Sequence, residues 1–167
     1  MIIVVFFFEC DGDNRELQRV DRRQRHNVYK RQPLGEQVAD KIDATASGAS
    51  QSVSQTVTIP DGIAGKTITT SVYVYADSSF DFTIRTRGSG STQEALNTTV
   101  STVSGEWTRV SVTRTYTGSA DGTDLLLYIY TGVFGVTNSN THWLFGAQHE
   151  QGTLGTYVPC PLYTYPN

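Results

Sequence analysis

Charge and sulfur are both scarce in this chain. Only 17% of its 167 residues are Asp, Glu, Lys or Arg, and it has three histidines, one methionine and two cysteines. Each scarcity removes a class of protein. Cys10 and Cys160 stand near opposite ends, outside any Cys-x-x-Cys or Cys/His spacing, so neither a metal site nor a disulfide framework is indicated. The one long apolar run, residues 2–8, falls far short of the roughly 20 residues that cross a bilayer. It has no basic leading region and no small-residue cleavage site, and makes a poor signal peptide. Catalytic signatures are missing as well: there is no Gly-x-Ser-x-Gly elbow, no His-Glu-x-x-His and no phosphate-cradling glycine loop.

What is plentiful is Thr, Ser, Gly, Val and Tyr, a mixture that favours strands and turns over helices. The length suits one domain with room for a core. Charge divides unevenly along it. Residues 1–33 carry seven Lys/Arg against five Asp/Glu, a net of +2; residues 34–167 carry six against eleven, a net of −5, and together these give −3. An acidic domain is a poor partner for a phosphate backbone, so nucleic acid is not expected, and neither is a membrane.

Residues 1–32 differ in composition from the rest of the chain. Read as protein, residues 2–8 form a β-branched and aromatic strand and residues 15–31 a basic linker, since Leu17, Val20 and Val28 build no stripe at helical spacing. Read otherwise, the run Val28-Tyr29-Lys30-Arg31-Gln32 resembles translated sequencing-adapter readthrough, and residues 160–167 resemble such text less closely. The expected organisation is an aberrant or disordered segment over 1–32, a domain over 33–159 and a tail over 160–167.

Within the domain the period is two. Residues 35–46 offer one strand around Val38, Ile42 and Ala44. Val53, Val57 and Ile59 alternate with Ser54, Thr56 and Thr58, and Pro60-Asp61-Gly62 ends the run with turn chemistry. Val72, Val74 and Ala76 lie on one side of the next strand, with Tyr73 and Tyr75 on the other. Asp77-Ser78-Ser79 then turns the chain into Phe80, Phe82 and Ile84, alternating with Asp81, Thr83, Arg85 and Arg87. This pair reads as a hairpin. Residues 97–103 form a weaker strand near an edge. Val110 and Val112 point inward from residues 107–116, while residues 125–130 are apolar on both faces, as suits a central strand. A polar loop over 132–140 leads to a last strand beginning near Trp143. About eight short strands with turns between them make an all-β antiparallel sandwich.

Chemistry has little to stand on. His142 and His149 have opposite parity, which puts them on different faces of a straight strand and reads as two solvent-exposed side chains rather than a metal pair. The acids Asp77, Asp81, Asp121, Asp124 and Glu150 are available for a glycosidase pair, but most fall in turns, where Asp is expected for backbone reasons. No catalytic residue is assigned. Binding has more. With the apolar sets inward, Tyr73, Tyr75, Asp81, Arg85, Arg87, Tyr128 and Tyr130 are expected on one outward face. Aromatic faces pack on sugar C–H groups, and charged groups bond hydroxyls or acidic substituents. The plain alternative is that tyrosines form strands well or bury themselves at a subunit contact. Trp107 and Trp143 are expected in the core or capping an end of the sandwich.

The last strand carries a family resemblance. Trp143, then Gly146-Ala147-Gln148, an acidic Glu150, a turn at Gly152 and a final Tyr157-Val158-Pro159 resemble the closing strand of small jelly-roll domains on tailed-phage virion proteins. Ala39-Asp40-Lys41-Ile42 and the run Gly105-x-Trp107-x-Arg109-Val110-x-Val112 are similar to the same family, over about residues 35–159. The resemblance implies a jelly-roll topology like that of carbohydrate-binding modules, and a non-catalytic role in a tail fibre, head fibre or capsid-decorating protein of a virion. Its partner would be a host surface glycan, or other virion subunits if the module is only an oligomerising or attaching spacer. A binding module from a larger polysaccharide-degrading enzyme is a third reading. No cofactor is expected beyond a structural calcium, for which Asp40 and Glu150 are the candidate ligands.

Overall fold

The structure is a computed structural model, and it describes residues 39–42, 51–59, 61–89, 95–117, 122–136 and 140–158. The segments 1–32 and 160–167, both cysteines and Asp121 lie outside the described residues.

Alternation along the chain becomes strand after strand: β1 (Asp40–Ile42), β2 (Ser52–Thr58), β3 (Thr67–Tyr75), β4 (Asp81–Gly88), β5 (Leu96–Ser101), β6 (Thr108–Thr115), β7 (Asp124–Tyr130) and β8 (His142–Gln151). They form two antiparallel sheets of four, ordered β1-β8-β3-β6 and β2-β7-β4-β5. Successive strands alternate between the sheets except at β4–β5, which is the arrangement of a jelly roll. As the sequence indicated, β5 is an edge strand and β7 a central one.

One face of each sheet turns inward. Val72 and Val74 of β3, Val110 and Val112 of β6, and Leu144 and Ala147 of β8 meet Phe82 and Ile84 of β4 and Leu127 and Ile129 of β7. A second cluster (Ile59, Ile63, Ile68, Tyr116 and Leu125) fills one end of the same layer. Each such aliphatic or aromatic side chain contributes roughly 1.5–3 kcal/mol on burial. Truncating Phe82, fully enclosed at 0% exposure, to alanine removes about 3–5 kcal/mol.

The hairpin expected between β3 and β4 is not formed. β3 pairs with β6 and β8, whereas β4 pairs with β5 and β7. Residues 76–80 arch from one sheet to the other and are tied to the neighbouring crossing: Gly105 N–H donates to the Ala76 carbonyl at 2.8 Å, and Ser104 Oγ donates to the Asp77 carbonyl at 2.8 Å. Alternation says which side of a strand is apolar. It does not say whether the next strand lies beside it or across from it, and here the two apolar sides face each other.

A bulge in β8 sets what that strand presents. Pairing with β3 runs from Gln151 to Gln148, slips, and resumes at Phe145 opposite Tyr73. Gly146 takes φ +61° at the slip, a left-handed conformation that glycine adopts without penalty. The extra residue reverses parity, so Trp143, Phe145, Gln148 and Glu150 all point away from the core, and His142, Leu144, Ala147 and His149 point into it.

Candidate functional site

The reversed parity corrects the reading of the histidines. Both are buried, at 1% exposure each. His142 stacks on Phe82 at 6.2 Å and reaches the Asn140 carbonyl through Nδ1 at 3.1 Å. His149 Nδ1 shares a 2.8 Å hydrogen bond with Thr70 Oγ1. Burial pushes the His149 imidazole down to about 4; desolvation lowers His142 too, against a smaller upward pull from the Asn140 carbonyl. Seven residues of strand keep them roughly 20 Å apart. Among the described residues, no three His, Cys, Asp or Glu side chains gather as a metal ion requires.

The outer face of the β1-β8-β3-β6 sheet is covered by its own chain. Tyr73, Tyr75, Trp107, Trp143, Phe145 and Tyr157 pack there with Ala39. Tyr75 is buried at 6% exposure. Tyr73 is enclosed by Phe145 and Tyr157, each at 5.7 Å, and by the Arg109 guanidinium at 5.7 Å. The two tryptophans therefore sit outside the inter-sheet core, in an aromatic layer of their own.

Residues 153–158 cross this layer and are held by polar groups of β8 and β6. Glu150 Oε2 accepts from Gly155 N at 2.9 Å, Gln148 Oε1 accepts from Val158 N at 3.0 Å, and Gln148 Nε2 donates to Glu150 Oε1. Arg109 donates to the Gly155 carbonyl at 2.6 Å and to Ser71 Oγ at 3.0 Å, with Glu150 4.0 Å away. The Gly-Ala-Gln-x-Glu motif thus clamps the following segment to the sheet. Asp40 and Glu150, the pair considered for calcium, do not converge: Asp40 lies opposite Leu144, six positions along β8 from Glu150.

Five of the seven expected residues share the outer face of the other sheet, where Arg85, Arg87 and Tyr128 are half-buried and Asp81 is exposed. Register places Ser54 beside Tyr128, Tyr128 beside Arg85, and Arg85 beside Asn97, a row across all four strands about 14 Å wide. Thr56, Leu126 and Arg87 form the next row. Tyr128 and Tyr130 stack at 6.4 Å and 23°. Asp81 lies at one end of β4, with Ser101 Oγ donating to it at 2.6 Å. Tyr73 and Tyr75, expected on this same face, are on the opposite side of the molecule, because β3 belongs to the other sheet.

Phe134 completes the group. The 131–136 loop folds back over the face: Phe134 N–H donates to Thr83 Oγ1 at 2.9 Å, and its ring meets Tyr130 edge-on at 5.1 Å. That contact buries Tyr130 to 6% exposure while Phe134 keeps 39%. The Arg85 guanidinium lies 5.3 Å from the Phe134 ring and 5.9 Å from Tyr128, and Arg87 lies 5.7 Å from Tyr128. Sequence reasoning passes over Phe134 as part of a polar loop. The available signal is a large aromatic among Gly, Val and Thr, where a loop has no core to put it in.

Among the described residues, the carboxylates on this face do not form a glycosidase pair. Asp81 and Asp124 stand at opposite ends; through the β4–β7 register they are about 25 Å apart along the strands, against roughly 5–9.5 Å for catalytic carboxylates. Asp124 Oδ1 instead accepts from Thr58 Oγ1 at 2.8 Å.

No protein-family model matches the chain, and no curated protein matches it in sequence. Solved structures do. A carbohydrate-binding module of family 4 (CBM4) superposes with a TM-score of 0.55 at 16% identity, over 68% of this chain and 71% of that one. The C-terminal family 22 carbohydrate-binding module of Clostridium thermocellum Xyn10B gives 0.45 at 13% identity, over 59% and 63%. The enzymatically active domain of bacteriophage CBA120 tailspike protein 4 gives 0.43 at 8% identity, over 66% and 15%. The first of these likenesses establishes a shared fold, the jelly-roll β-sandwich.

Proposed function

We propose that this chain is a non-catalytic glycan-binding module, and that it binds through the outer face of the β2-β7-β4-β5 sheet. The observation that carries the reading is the platform of Tyr128 and Phe134, backed by the buried Tyr130, with the Arg85 guanidinium close to both outer rings. Aromatic faces give a sugar ring apolar contact, the guanidinium gives directional donors, and Ser54 and Asn97 flank them with further hydrogen-bonding groups. The shared fold with a carbohydrate-binding module supports it. The closing-strand motif supports the finer reading, a tail-fibre, head-fibre or capsid-decorating protein of a phage virion that recognises host surface polysaccharide.

The test is binding of the full chain to a panel of bacterial surface polysaccharides, beside Tyr128→Ala and Phe134→Ala variants. Binding by the parent that both variants lose supports the module and its face. A folded parent that binds nothing, and whose oligomeric state changes in the Tyr128→Ala variant, points instead to a structural spacer that uses this face against a neighbouring subunit.

A further inference from the structure

We infer that the glycan taken by this face is anionic, a polysaccharide whose sugars carry carboxylate or sulfate groups. This rests on the glycan-binding reading and names its ligand class.

Arg85 and Arg87 are two residues apart on β4 and share its outer side, which brings two positive charges within about 7 Å. Their surroundings do not neutralise them. Both are half-buried, and the Nε of each is enclosed without a hydrogen-bond acceptor. Among the described residues the only ion pair is Arg109 with Glu150, on the other sheet. Among the described residues the acids on the same side are Asp81, four residues from Arg85 and held by Ser101, and Asp124, held by Thr58 and diagonal to Arg87 across the β4–β7 pairing; neither makes an ion pair with the arginines. What lies over the two guanidinium groups is aromatic: Tyr128 and Phe134 beside Arg85, and Tyr128 beside Arg87.

Two adjacent, partly desolvated guanidinium groups repel each other, and the enclosed Nε of each lacks an acceptor. The rings of Tyr128 and Phe134 offset part of this and fix the guanidinium planes. An oxyanion on the ligand would accept from the terminal Nη groups, which are not among the enclosed atoms, two N–H donors to two oxygens, and would compensate the paired charge. A neutral sugar offers hydroxyls but leaves both charges uncompensated. General electrostatic attraction is not the source of the effect, because residues 34–167 carry a net −5 and repel polyanions at long range.

The experiment measures affinity of the full chain for two matched pairs: polygalacturonate and its fully methyl-esterified form, and dextran sulfate and dextran. Each pair shares a backbone and differs in charge, and the two charged members separate carboxylate from sulfate. The expected result is binding to at least one charged member at least tenfold tighter than to its neutral counterpart, weakening as salt rises from 50 to 500 mM. The Arg85→Gln/Arg87→Gln variant brings that affinity down to the neutral level. The charged-to-neutral ratio and the salt dependence need no variant, so a misfolded double mutant leaves the inference testable. Equal binding within both pairs, or binding to neutral polysaccharides alone, overturns the anionic class and leaves glycan binding standing. No binding to either pair or to the bacterial panel overturns both.

Discussion

The ring of Tyr157 lies on Gly146, so close that a β-carbon there would come within 2.7 Å of the ring's Cε2. Position 146 is therefore constrained twice: by this contact and by its φ of +61°. Gly146→Ala is expected to destabilise the fold by about 2–4 kcal/mol, combining left-handed backbone strain with overpacking. In a Tyr157→Ala background the overpacking part disappears, so the increment falls below its value in the parent. Urea unfolding of the four proteins measures the cycle. A Gly146→Ala protein as stable as the parent would sink this account of the bulge.

Glu150 is the other half of the clamp. Its carboxylate is buried at 3% exposure and accepts from Gln148 and Gly155 beside Arg109. Glu150→Ala leaves the Gly155 and Gln148 donors unsatisfied and removes the counter-charge of Arg109, at a cost of about 2–3 kcal/mol. Glu150→Gln keeps an acceptor and is expected to lose less. Amide exchange supplies a local readout: the Gly155 and Val158 amides should exchange faster in Glu150→Ala while those of β7 stay near their parent rates.

These two residues show what was legible in the sequence and what was not. The strands were legible because in–out alternation is local: β2, β4, β6 and β7 each bury the side their own residues indicate. Which sheet a strand joins is not local. A short turn between β3 and β4 serves an arch as well as a hairpin, and reading it as a hairpin put Tyr73 and Tyr75 on the face of Arg85 and Tyr128. The Gly-Ala-Gln-x-Glu motif was visible as a pattern, but its work depends on residues 155–158 returning over the sheet. Parity failed at the histidines for a reason present in the chain: a glycine inside a strand pattern marks a bulge, and Gly146 moves His149 from one side of β8 to the other.

Stability should fall on mild acidification because of those histidines. A buried imidazole with its folded value near 4, against about 6.5 when unfolded, binds its proton preferentially in the unfolded chain. Its contribution is complete above pH 6.5, declines as pH falls from 6.5 toward 4, and is gone below 4, a loss of about 3 kcal/mol. His142, lowered by the same cause, adds to the decline. Urea midpoints at pH 7.5, 6, 5 and 4 trace it, and a His149→Gln variant should show a shallower slope over that window. An unchanged slope would mean that His149 is not buried as described.

The two aromatic faces differ in role, and mutation should separate them. Tyr75 is buried against Trp107 and Trp143, with ring centroids at 5.6 and 5.5 Å. Tyr75→Ala therefore opens a cavity and is expected to destabilise the protein by about 3 kcal/mol or more, while polysaccharide affinity per folded molecule is unchanged. Phe134, 39% exposed and outside the core clusters, loses less burial than Tyr75. Phe134→Ala is expected to cost about 1–2 kcal/mol, part of it from uncovering Tyr130, yet to lower affinity per folded molecule at least tenfold, since it strips one of the two rings that hold the Arg85 guanidinium. Melting temperatures and affinities measured on the same preparations check both halves. Reversal of the pattern, with binding lost in Tyr75→Ala at full folding and kept in Phe134→Ala, would move the binding surface to the opposite sheet.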